Sequence, residues 1–368
     1  MKKIGILTTY FASNYGAMLQ PFALKRHLEM MGCEVEMIRY KQKTTYRFYN
    51  PWKPWVFRSL NIKRIISYLY YLPGLLKRNN TFNRFMWEHI NPEKGFASRI
   101  PEDKDFYFIG SDQIWNYKVP EGFDDVYFGK FKTKDGAKKI SYAASAEGLS
   151  YNSEQTAYIK KSIWNFDAVS VREKKLEKDI KRVTGREDVV TVLDPTMLVD
   201  PKVYDEVKHI HPCPGEKFIF FYDIRNCKLF AEKILDHARS LGARLVIVSE
   251  MPDKWYKSFA RKHKEVIYEP YAGIELFLGG MKYAEWVYTA SFHGSVFAIL
   301  NHKKFYTLNL HDNKMTRPTY LLDILGLQNR LLSINDIISN DEIDYENADR
   351  LLNDQRTYSR NFILDVLK

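Results

Sequence analysis

A histidine at a predicted strand-to-helix junction is the residue of this chain best placed for chemistry. The sequence of residues 286–299, WVYTASFHGSVFAI, passes from an apolar run of strand length through small polar residues into an apolar run at helical spacing. Such a junction lies at the carboxyl end of a parallel strand, where the N–H groups of a helix start attract anions. Small Ser291 and Gly294 keep the backbone open beside the His293 ring. His293 is therefore a candidate ligand-binding residue, and a helix-capping histidine is the alternative.

Other polar residues also follow predicted strands. Asp112, Ser145, Arg172 and Asp194 each come at the end of an apolar run, and such ends line one rim of a parallel sheet. The planar guanidinium of Arg172 can bind a phosphate or carboxylate through two hydrogen bonds, or it can pair with a nearby acid. Asp112, Glu173 and Asp194 are candidate bases for an alcohol, although an acid at such a place also serves as a helix cap or turn residue.

The elements that position these residues alternate between strand and helix patterns along two stretches of the chain. A proline-rich segment at 200–215 separates the two stretches, and no dinucleotide fingerprint GxGxxG follows the first strand. This alternation predicts an α/β fold of two Rossmann-like domains with parallel sheets. We expect domains at 1–205 and 206–340, then a C-terminal helix at 341–368 that crosses back to the first domain.

A basic and aromatic insert at 41–90 interrupts the first domain. It holds ten Lys or Arg residues, the single acid Glu88 and twelve aromatic residues, and it carries +9 of the chain's net charge of +11. Its longest uncharged run, 65–76, is broken by Pro73 and Gly74 and is too short to cross a bilayer, but it suits the bilayer interface. The alternative is a helical insert that packs on its own domain. Binding to nucleic acid is less favoured because no such motif accompanies the charge.

Cysteine, histidine and terminal patterns restrict the remaining classes of function. The three cysteines are widely separated and show no CxxC spacing, which argues against a disulfide framework and a zinc site. His209 and His211 lie in the proline-rich segment without a third ligand nearby, and we expect linker surface there rather than a metal. The N-terminus does not resemble a signal peptide, and no apolar run has membrane-spanning length. We therefore expect a cytoplasmic protein, with peripheral association at the inner face of the plasma membrane through the insert.

Six ordered blocks of the sequence resemble the polysaccharide pyruvyl transferase family. The blocks are IGILTTYFASNYGAMLQPFALKRHLEMMGCEVEMIRY, FIGSDQIWN, KKISYAASA, VSVREK, VLDPTML and SFHGSVFAI, which fall within residues 3–40 and 105–310. The resemblance implies two Rossmann-like domains facing a cleft, as in GT-B enzymes. It also implies transfer of a pyruvyl (carboxyethylidene) group from phosphoenolpyruvate to a sugar of a surface polysaccharide, such as capsule or exopolysaccharide, or of its lipid-linked precursor. The product is a ketal, and neither a metal nor a nucleotide cofactor is implied.

The resemblance also implies roles for individual residues. His293 matches the family's donor-site histidine, and Arg172 matches an arginine that contacts the donor. Some members carry an arginine two residues before the histidine, where this chain has Ser291, so Arg225 or Lys303 is a candidate for the missing charge. The expected donor site comprises Ser291, Gly294, Ser295 and Arg225. The expected acceptor site comprises Asn14, Tyr15, Gly16, Ser111 and Gln113, with Asp112 as the third catalytic candidate.

Forming such a ketal requires a proton on the methylene carbon, attack by sugar oxygens on the adjacent carbon and loss of phosphate. A bound dianion would favour the charged imidazole of His293, which could then act as proton donor or phosphate stabiliser. Two other readings stay open at this point. One is a GT-B glycosyltransferase that uses a nucleotide sugar. The other is a non-catalytic glycan-binding member, which Ser291 in place of arginine keeps open.

Overall fold

The computed structural model describes residues 1–40, 42, 46–47, 49–53, 56–57, 61–92, 99–118, 122–146, 151–310 and 317–368. Ten positions of the predicted insert (41, 43–45, 48, 54–55 and 58–60) lie outside this set. The chain divides into two compact units. The first unit comprises Met1–Tyr49, Phe85–Val203 and Asn353–Lys368, and the second comprises Asn50–Arg84 and Tyr204–Leu352.

Strands and helices alternate through most of the described chain. The elements as far as β6 are β1 (Lys3–Leu7), α1 (Tyr15–Met30), β2 (Glu34–Met37), α2 (Ile62–Phe85), β3 (Phe106–Ile109), β4 (Lys138–Ala144), α3 (Ser153–Ser162), β5 (Ala168–Val171), α4 (Lys174–Thr184) and β6 (Val190–Thr191). The later elements are β7 (Phe218–Asp223), α5 (Ala231–Ser240), β8 (Arg244–Ser249), α6 (Lys254–Lys262), β9 (Val266–Tyr268), α7 (Ile274–Tyr283), β10 (Trp286–Thr289), α8 (Phe292–Leu300), β11 (Lys304–Leu308), α9 (Arg317–Ile324), β12 (Leu331–Leu332) and α10 (Tyr345–Val366). Short 3-10 helices lie at Val126–Phe128, Ile163–Asn165, Pro195–Met197, Pro201–Glu206, Lys228–Phe230 and Gln328–Arg330, and a π-helical turn at Met86–Ile90.

The sheet of the first unit is parallel, with strand order β2-β1-β3-β4-β5-β6. The central strand β3 reads FYFI and is buried at every position, as expected for a strand covered on both faces. The chain runs from β1 outward to β2 and then returns to β3 on the other side of β1. The order therefore reverses between β1 and β3, which is where α/β sheets open a crevice at their carboxyl edge.

The sheet of the second unit is also parallel, with strand order β12-β11-β10-β7-β8-β9. The six residues of β7, FIFFYD, are all buried, and apolar side chains of α5 and α6, such as Ile234 and Phe259, pack on the same core. The chain leaves β7 toward β8 and β9 and returns to β10 on the opposite side. The switch point of this sheet therefore lies between β7 and β10.

Helix α2, the main described element of the insert, differs from the pattern expected at Pro73 and Gly74. The helix runs through both residues without ending. A Cβ at Gly74 would collide with the ring of Tyr271, so close packing on the second unit holds the helix where propensity alone favours a break. Although the sequence pattern suggests an insert of the first domain, Asn50–Arg84 belongs to the second unit.

The C-terminal part of α10 belongs to the first unit. The Arg356 and Arg360 side chains donate to the carbonyls of Met197 and Leu198, at 2.8 and 3.0 Å from their Nε atoms. The Ser359 hydroxyl accepts from the backbone N–H of Leu193 at 2.9 Å. These bonds satisfy backbone groups in the segment after β6. Among the described helices, none combines the length and the apolar character that crossing a membrane requires.

Candidate active site

The switch point of the second unit places the start of α8 at the carboxyl end of β10. Ser291 is the N-cap of α8, and its hydroxyl accepts from the backbone N–H of Gly294 at 3.3 Å. The Ser291 N–H donates to Thr289 Oγ1 at 3.0 Å, and the Thr289 hydroxyl donates to the carbonyl of Tyr222 at 2.9 Å. Because Tyr222 lies on β7, these bonds fix the helix start directly at the junction of β7 and β10.

His293 lies in the first turn of α8, and its side chain is mostly buried, with 7% of the residue exposed. The first N–H groups of a helix have no partner within the helix, and the helix dipole adds positive potential there. The next residue is Gly294, and a glycine is needed there because a Cβ at this position would collide with the Thr289 side chain. The turn thus holds an imidazole and backbone donors together at one helix terminus, which is a site suited to an anion.

Two of the predicted donor residues have hydroxyls that stabilise this turn. Besides the cap by Ser291, the Ser295 hydroxyl contacts the Ser291 carbonyl at 3.1 Å and Thr307 Oγ1 at 2.8 Å. Both serines are at least 98% buried. Their position at the predicted rim is as expected, and their contacts explain the small polar residues on either side of His293.

Arg225 also lies at this rim, in the loop after β7. Its backbone N–H donates to Asp223 Oδ1 at 2.9 Å, and Asn226 beside it takes a left-handed conformation with φ of 62°. Arg225 lines a cavity of about 20 Å³ with residues that include Ala290, Thr307 and Asn309. Arg225 and Ala290, the residue that precedes the cap of α8, therefore line the same cavity.

Lys303, the other candidate for the missing charge, does not join this group. It directly precedes β11, whose carboxyl end lies beside that of β10. Five residues of strand separate the two edges of a sheet by roughly 16 Å. Lys303 therefore lies at the opposite edge of the sheet from Ala290. The suggestion that Lys303 supplies the missing positive charge beside His293 is wrong.

In the first unit, Arg172 follows β5 and forms a buried ion pair. Its Nη1 lies 2.6 Å from Asp194 Oδ2 and its Nε 3.3 Å from Glu173 Oε1, while Arg172 is 3% exposed and Asp194 fully buried. Burial alone would lower the pKa of the guanidinium, but the nearby carboxylates of Asp194, Glu173 and Asp112 outweigh it and raise that pKa. Arg172 is therefore a fixed cation whose charge two carboxylates already balance.

The ion pair extends into a hydrogen-bond network along the rim of the first sheet. The Ser111 hydroxyl donates to Asp194 Oδ2 at 3.1 Å, and the Ser145 hydroxyl donates to Glu173 Oε1 at 2.5 Å. Ser111 and Ser145 follow β3 and β4, whereas Asp194 follows β6. The network therefore connects the carboxyl ends of four strands, and the predicted rim residues do lie along one edge.

The three candidate bases differ in availability. Besides the ion pair, Asp194 accepts at Oδ1 from the Thr196 N–H at 3.0 Å and from its hydroxyl at 2.7 Å, which leaves no exposed oxygen for a substrate. Asp112 is only partly buried and accepts from the Thr9 hydroxyl at 2.9 Å. Its backbone is left-handed, with φ of 64°. Glu173 is also only partly buried, and its Oε1 accepts from Ser145 and Arg172. Asp112 is thus the partly buried candidate that lies at the switch point of the first sheet.

The predicted acceptor residues surround the same switch point. Asn14 caps α1 by accepting from the Ala17 N–H at 3.2 Å, and the Gln113 side chain bonds to Asn116. Tyr15 and Gly16 lie buried in the first turn of α1, and Ser111 is fully buried in the loop after β3.

Gln20 is a residue of this rim that pattern reasoning missed. Its Nε2 donates to Thr8 Oγ1 at 2.8 Å, and its Oε1 accepts from the Ser111 N–H at 3.3 Å. Gln20 thereby joins the loops that follow β1 and β3. The only signal in the sequence is a glutamine between the apolar residues Leu19 and Phe22 of a predicted helix, because a buried amide there needs partners.

Arg172 belongs to the first unit and His293 to the second. Their convergence on one donor molecule therefore stays a prediction. No set of three or more His, Cys, Asp and Glu side chains in the described part of the chain is arranged to hold a metal ion.

Solved structures with similar folds include two epimerases and a heptosyltransferase. The UDP-GlcNAc 2-epimerase of Methanocaldococcus jannaschii shares 11% identity, with a TM-score of 0.50, over 96% of this chain and 92% of that one. The UDP-N-acetylglucosamine 2-epimerase of Rickettsia bellii shares 10% identity over 100% and 96% (TM-score 0.48), and E. coli ADP-heptose lps heptosyltransferase II shares 10% over 96% and 99% (TM-score 0.40). At such identities the likeness concerns the fold alone. The predicted GT-B-like class, with two parallel-sheet α/β domains, is confirmed.

Sequence comparison gives the family. No curated protein matches this chain. The family model described as "Polysaccharide pyruvyl transferase" matches residues 14–312, which include most of both predicted Rossmann-like regions, the basic insert and the α8 junction. The chain therefore belongs to the polysaccharide pyruvyl transferase family.

Proposed function

We propose that this chain transfers a pyruvyl group from phosphoenolpyruvate to a sugar of a surface polysaccharide or of its lipid-linked precursor, with a ketal as product. Family membership supports a transferase that acts on polysaccharide. The observation that carries the donor assignment is His293 in the first turn of α8, at the switch point of the second sheet.

Phosphoenolpyruvate presents a phosphate and a carboxylate on a three-carbon frame. Its site needs localised positive charge and backbone donors, and the start of α8 offers both kinds of group. Arg225, which lines the same cavity as Ala290, supplies the charge that some members place two residues before the histidine. In this proposal Arg225 binds the phosphate, and His293 stands beside the phosphate and the methylene carbon.

The reaction adds two sugar hydroxyls across one donor carbon. One sugar oxygen bonds to the central carbon of the donor while the methylene carbon takes up a proton. A second sugar oxygen then replaces the phosphate oxygen at the same carbon, and inorganic phosphate leaves with the remaining proton. His293 delivers the proton to the methylene carbon or stabilises the leaving phosphate, and general acid catalysis of this kind contributes about 10²–10⁴-fold.

Within the first unit, the proposal assigns Asp112 to the acceptor, as the base that accepts a hydroxyl proton. Arg172 has two carboxylates as partners, so in place of the expected donor contact we assign it a positioning role in which it holds the loops after β3, β4 and β6 in register. Asn14 and Gln113, at the same switch point, are expected to lie near the acceptor sugar.

The experiment measures phosphate release and acceptor mass with phosphoenolpyruvate and the polysaccharide or lipid-linked glycan of the host. We expect His293→Ala to lower the rate at least ~100-fold. The matched control His302→Ala, at a histidine whose side chain is 52% exposed, should keep the wild-type rate. Turnover that His293→Ala leaves intact would refute the assignment. Transfer from a nucleotide sugar would favour a glycosyltransferase, and glycan binding without phosphate release would favour a non-catalytic member.

A further inference from the structure

Helix α2 has two faces of opposite character. One face packs on the second unit: Arg78 is 2% exposed and donates to the carbonyls of Ser249 at 3.1 Å and Pro270 at 3.3 Å. Phe82 is 3% exposed under the Arg78 guanidinium, and Arg84 forms an ion pair with Glu275. These contacts fix the orientation of the helix. The alternative of an insert that packs on its own domain therefore holds for this face only in that the face is packed, because it packs within the second unit and not on the predicted first domain.

The opposite face is apolar and exposed. Ile62, Ile66, Leu69 and Tyr70 are 70%, 61%, 49% and 61% exposed, and their spacing of i, i+4, i+7 and i+8 places them on one stripe of the helix. Pro73 continues the stripe and is also exposed. A surface helix of a globular protein normally presents polar residues here. The stripe, called the outer stripe below, is therefore unusual for a face directed to solvent.

A second helix supplies positive charge beside the outer stripe. Lys257 of α6 places its Nζ 4.6 Å from the centre of the Tyr70 ring and donates to the Tyr70 hydroxyl. Hydrogen bonding and attraction by Lys257, with a further contribution from Arg261, lower the pKa of this phenol. The sequence of α6, KWYKSFARK, contains no acid. Besides Arg84, which pairs with Glu275, the exposed cations on the two helices are Lys63, Arg64, Lys77, Lys254, Arg261 and Lys262.

We propose that the outer stripe of α2 and the cations of α6 form a docking surface for an anionic lipid bilayer. Aromatic and aliphatic side chains flanked by Lys and Arg suit the headgroup region, where the apolar groups enter the acyl boundary and the cations meet lipid phosphates. From Ile62 to Pro73 the stripe is roughly 17 Å long, so it lies along the interface rather than across the bilayer. The proposal revises the expectation drawn from the insert alone, since Arg78 is buried and α6 takes part.

The test is co-sedimentation of the full chain with vesicles of phosphatidylglycerol and phosphatidylcholine, compared with phosphatidylcholine alone. We expect binding to the anionic vesicles only, weakened at least ~10-fold when added salt shortens the screening length. Lys63→Gln, Lys77→Gln and Arg261→Gln together should weaken binding roughly 100-fold, at about a factor of five per cation. The matched control changes three exposed cations of α4 to glutamine, namely Lys174, Lys175 and Arg182, and should stay within about twofold of the wild type.

A second pair of variants tests the apolar contribution. Ile66→Gln with Leu69→Gln should weaken binding at least ~10-fold, because each change removes an apolar group that enters the membrane. Ile337→Gln with Leu229→Gln, at residues 88% and 56% exposed elsewhere on the second unit, is the control and should bind normally.

Three results would overturn the proposal. The first is that the wild-type protein does not bind anionic vesicles. The second is that the variant with Ile66→Gln and Leu69→Gln binds these vesicles as tightly as the wild type. The third is that the wild type is a dimer in solution and this variant is a monomer. The last would show that a second copy of the chain covers the stripe. The assay contains no donor or acceptor, so its failure is distinguishable from failure of the proposed function.

Discussion

Replacement of Arg172 by methionine tests the network that organises the rim of the first unit. Methionine keeps most of the side-chain volume but removes the charge that faces Asp194 at 2.6 Å. Asp194 is fully buried, so its carboxylate would lose its ionic partner without gaining water. Removing one partner of such a buried ion pair lowers the free energy of unfolding by about 3–5 kcal/mol. Because Ser111 and Thr196 still donate to Asp194, we expect a loss near the lower end, about 3 kcal/mol.

A double-mutant cycle with Asp194→Asn separates the ion pair from packing. The asparagine Oδ1 can still accept from Thr196, and its amide can donate to the Ser111 hydroxyl, so the neutral pair leaves no buried charge between positions 172 and 194. The double variant should therefore recover at least about 2 kcal/mol relative to the sum of the single changes.

The assay is urea unfolding of the full chain for the wild type and the three variants. Because two units can unfold in separate steps, peptide-resolved hydrogen exchange over residues 168–199 assigns the loss to the first unit. Turnover adds a second readout, since a positioning role predicts that the stable double variant stays slow. A coupling below about 0.5 kcal/mol, or wild-type turnover in the double variant, would refute the reasoning.

Three further predictions concern single residues. Burial, and then Arg360, lowers the pKa of His27 from 6.5 to about 4, so the first unit should lose about 3 kcal/mol of stability as the pH falls from about 6.5 to 4. In the His27→Leu variant, the urea midpoint of unfolding should no longer fall between pH 6.5 and 4. A midpoint that still falls as steeply as in the wild type would show that His27 is not the cause. Gly294→Ala should cost about 1–3 kcal/mol, measured by urea unfolding, because its Cβ would meet Thr289, and a neutral effect would show that the turn yields. Asp112→Asn should lower turnover at least ~100-fold without changing donor affinity by calorimetry, whereas wild-type turnover would exclude Asp112 as the base.

The fold and the strand-end positions of the site follow from local pattern. The sequence alone locates Ser291 and His293, which follow an apolar run of strand length and precede a run with helical period. Such residues lie together because the carboxyl ends of parallel strands meet at one edge of the sheet. The hydrogen-bond and ion-pair partners of these residues do not follow from local pattern, since spacing along the chain does not say which side chains meet. The ion pair of Arg172 with Asp194 and the bridging role of Gln20 depend on the neighbouring strands and were not predictable.

Helix α2 shows a second limit of the pattern. Proline followed by glycine favours a break, but the close fit of Gly74 against Tyr271 lets the helix continue. Arg78 illustrates the same point for charge. It is one of the ten basic residues of the insert through which association with the membrane is expected, whereas two backbone carbonyls and an aromatic ring hold it in the interior.

Calorimetric titration of phosphoenolpyruvate into the purified chain tests the central claim most directly, because donor binding needs no knowledge of the acceptor. The account predicts saturable binding that His293→Ala weakens at least ~10-fold through loss of a contact to a charged group and that His302→Ala leaves unchanged. Saturable binding of a nucleotide sugar together with no heat from phosphoenolpyruvate would contradict it.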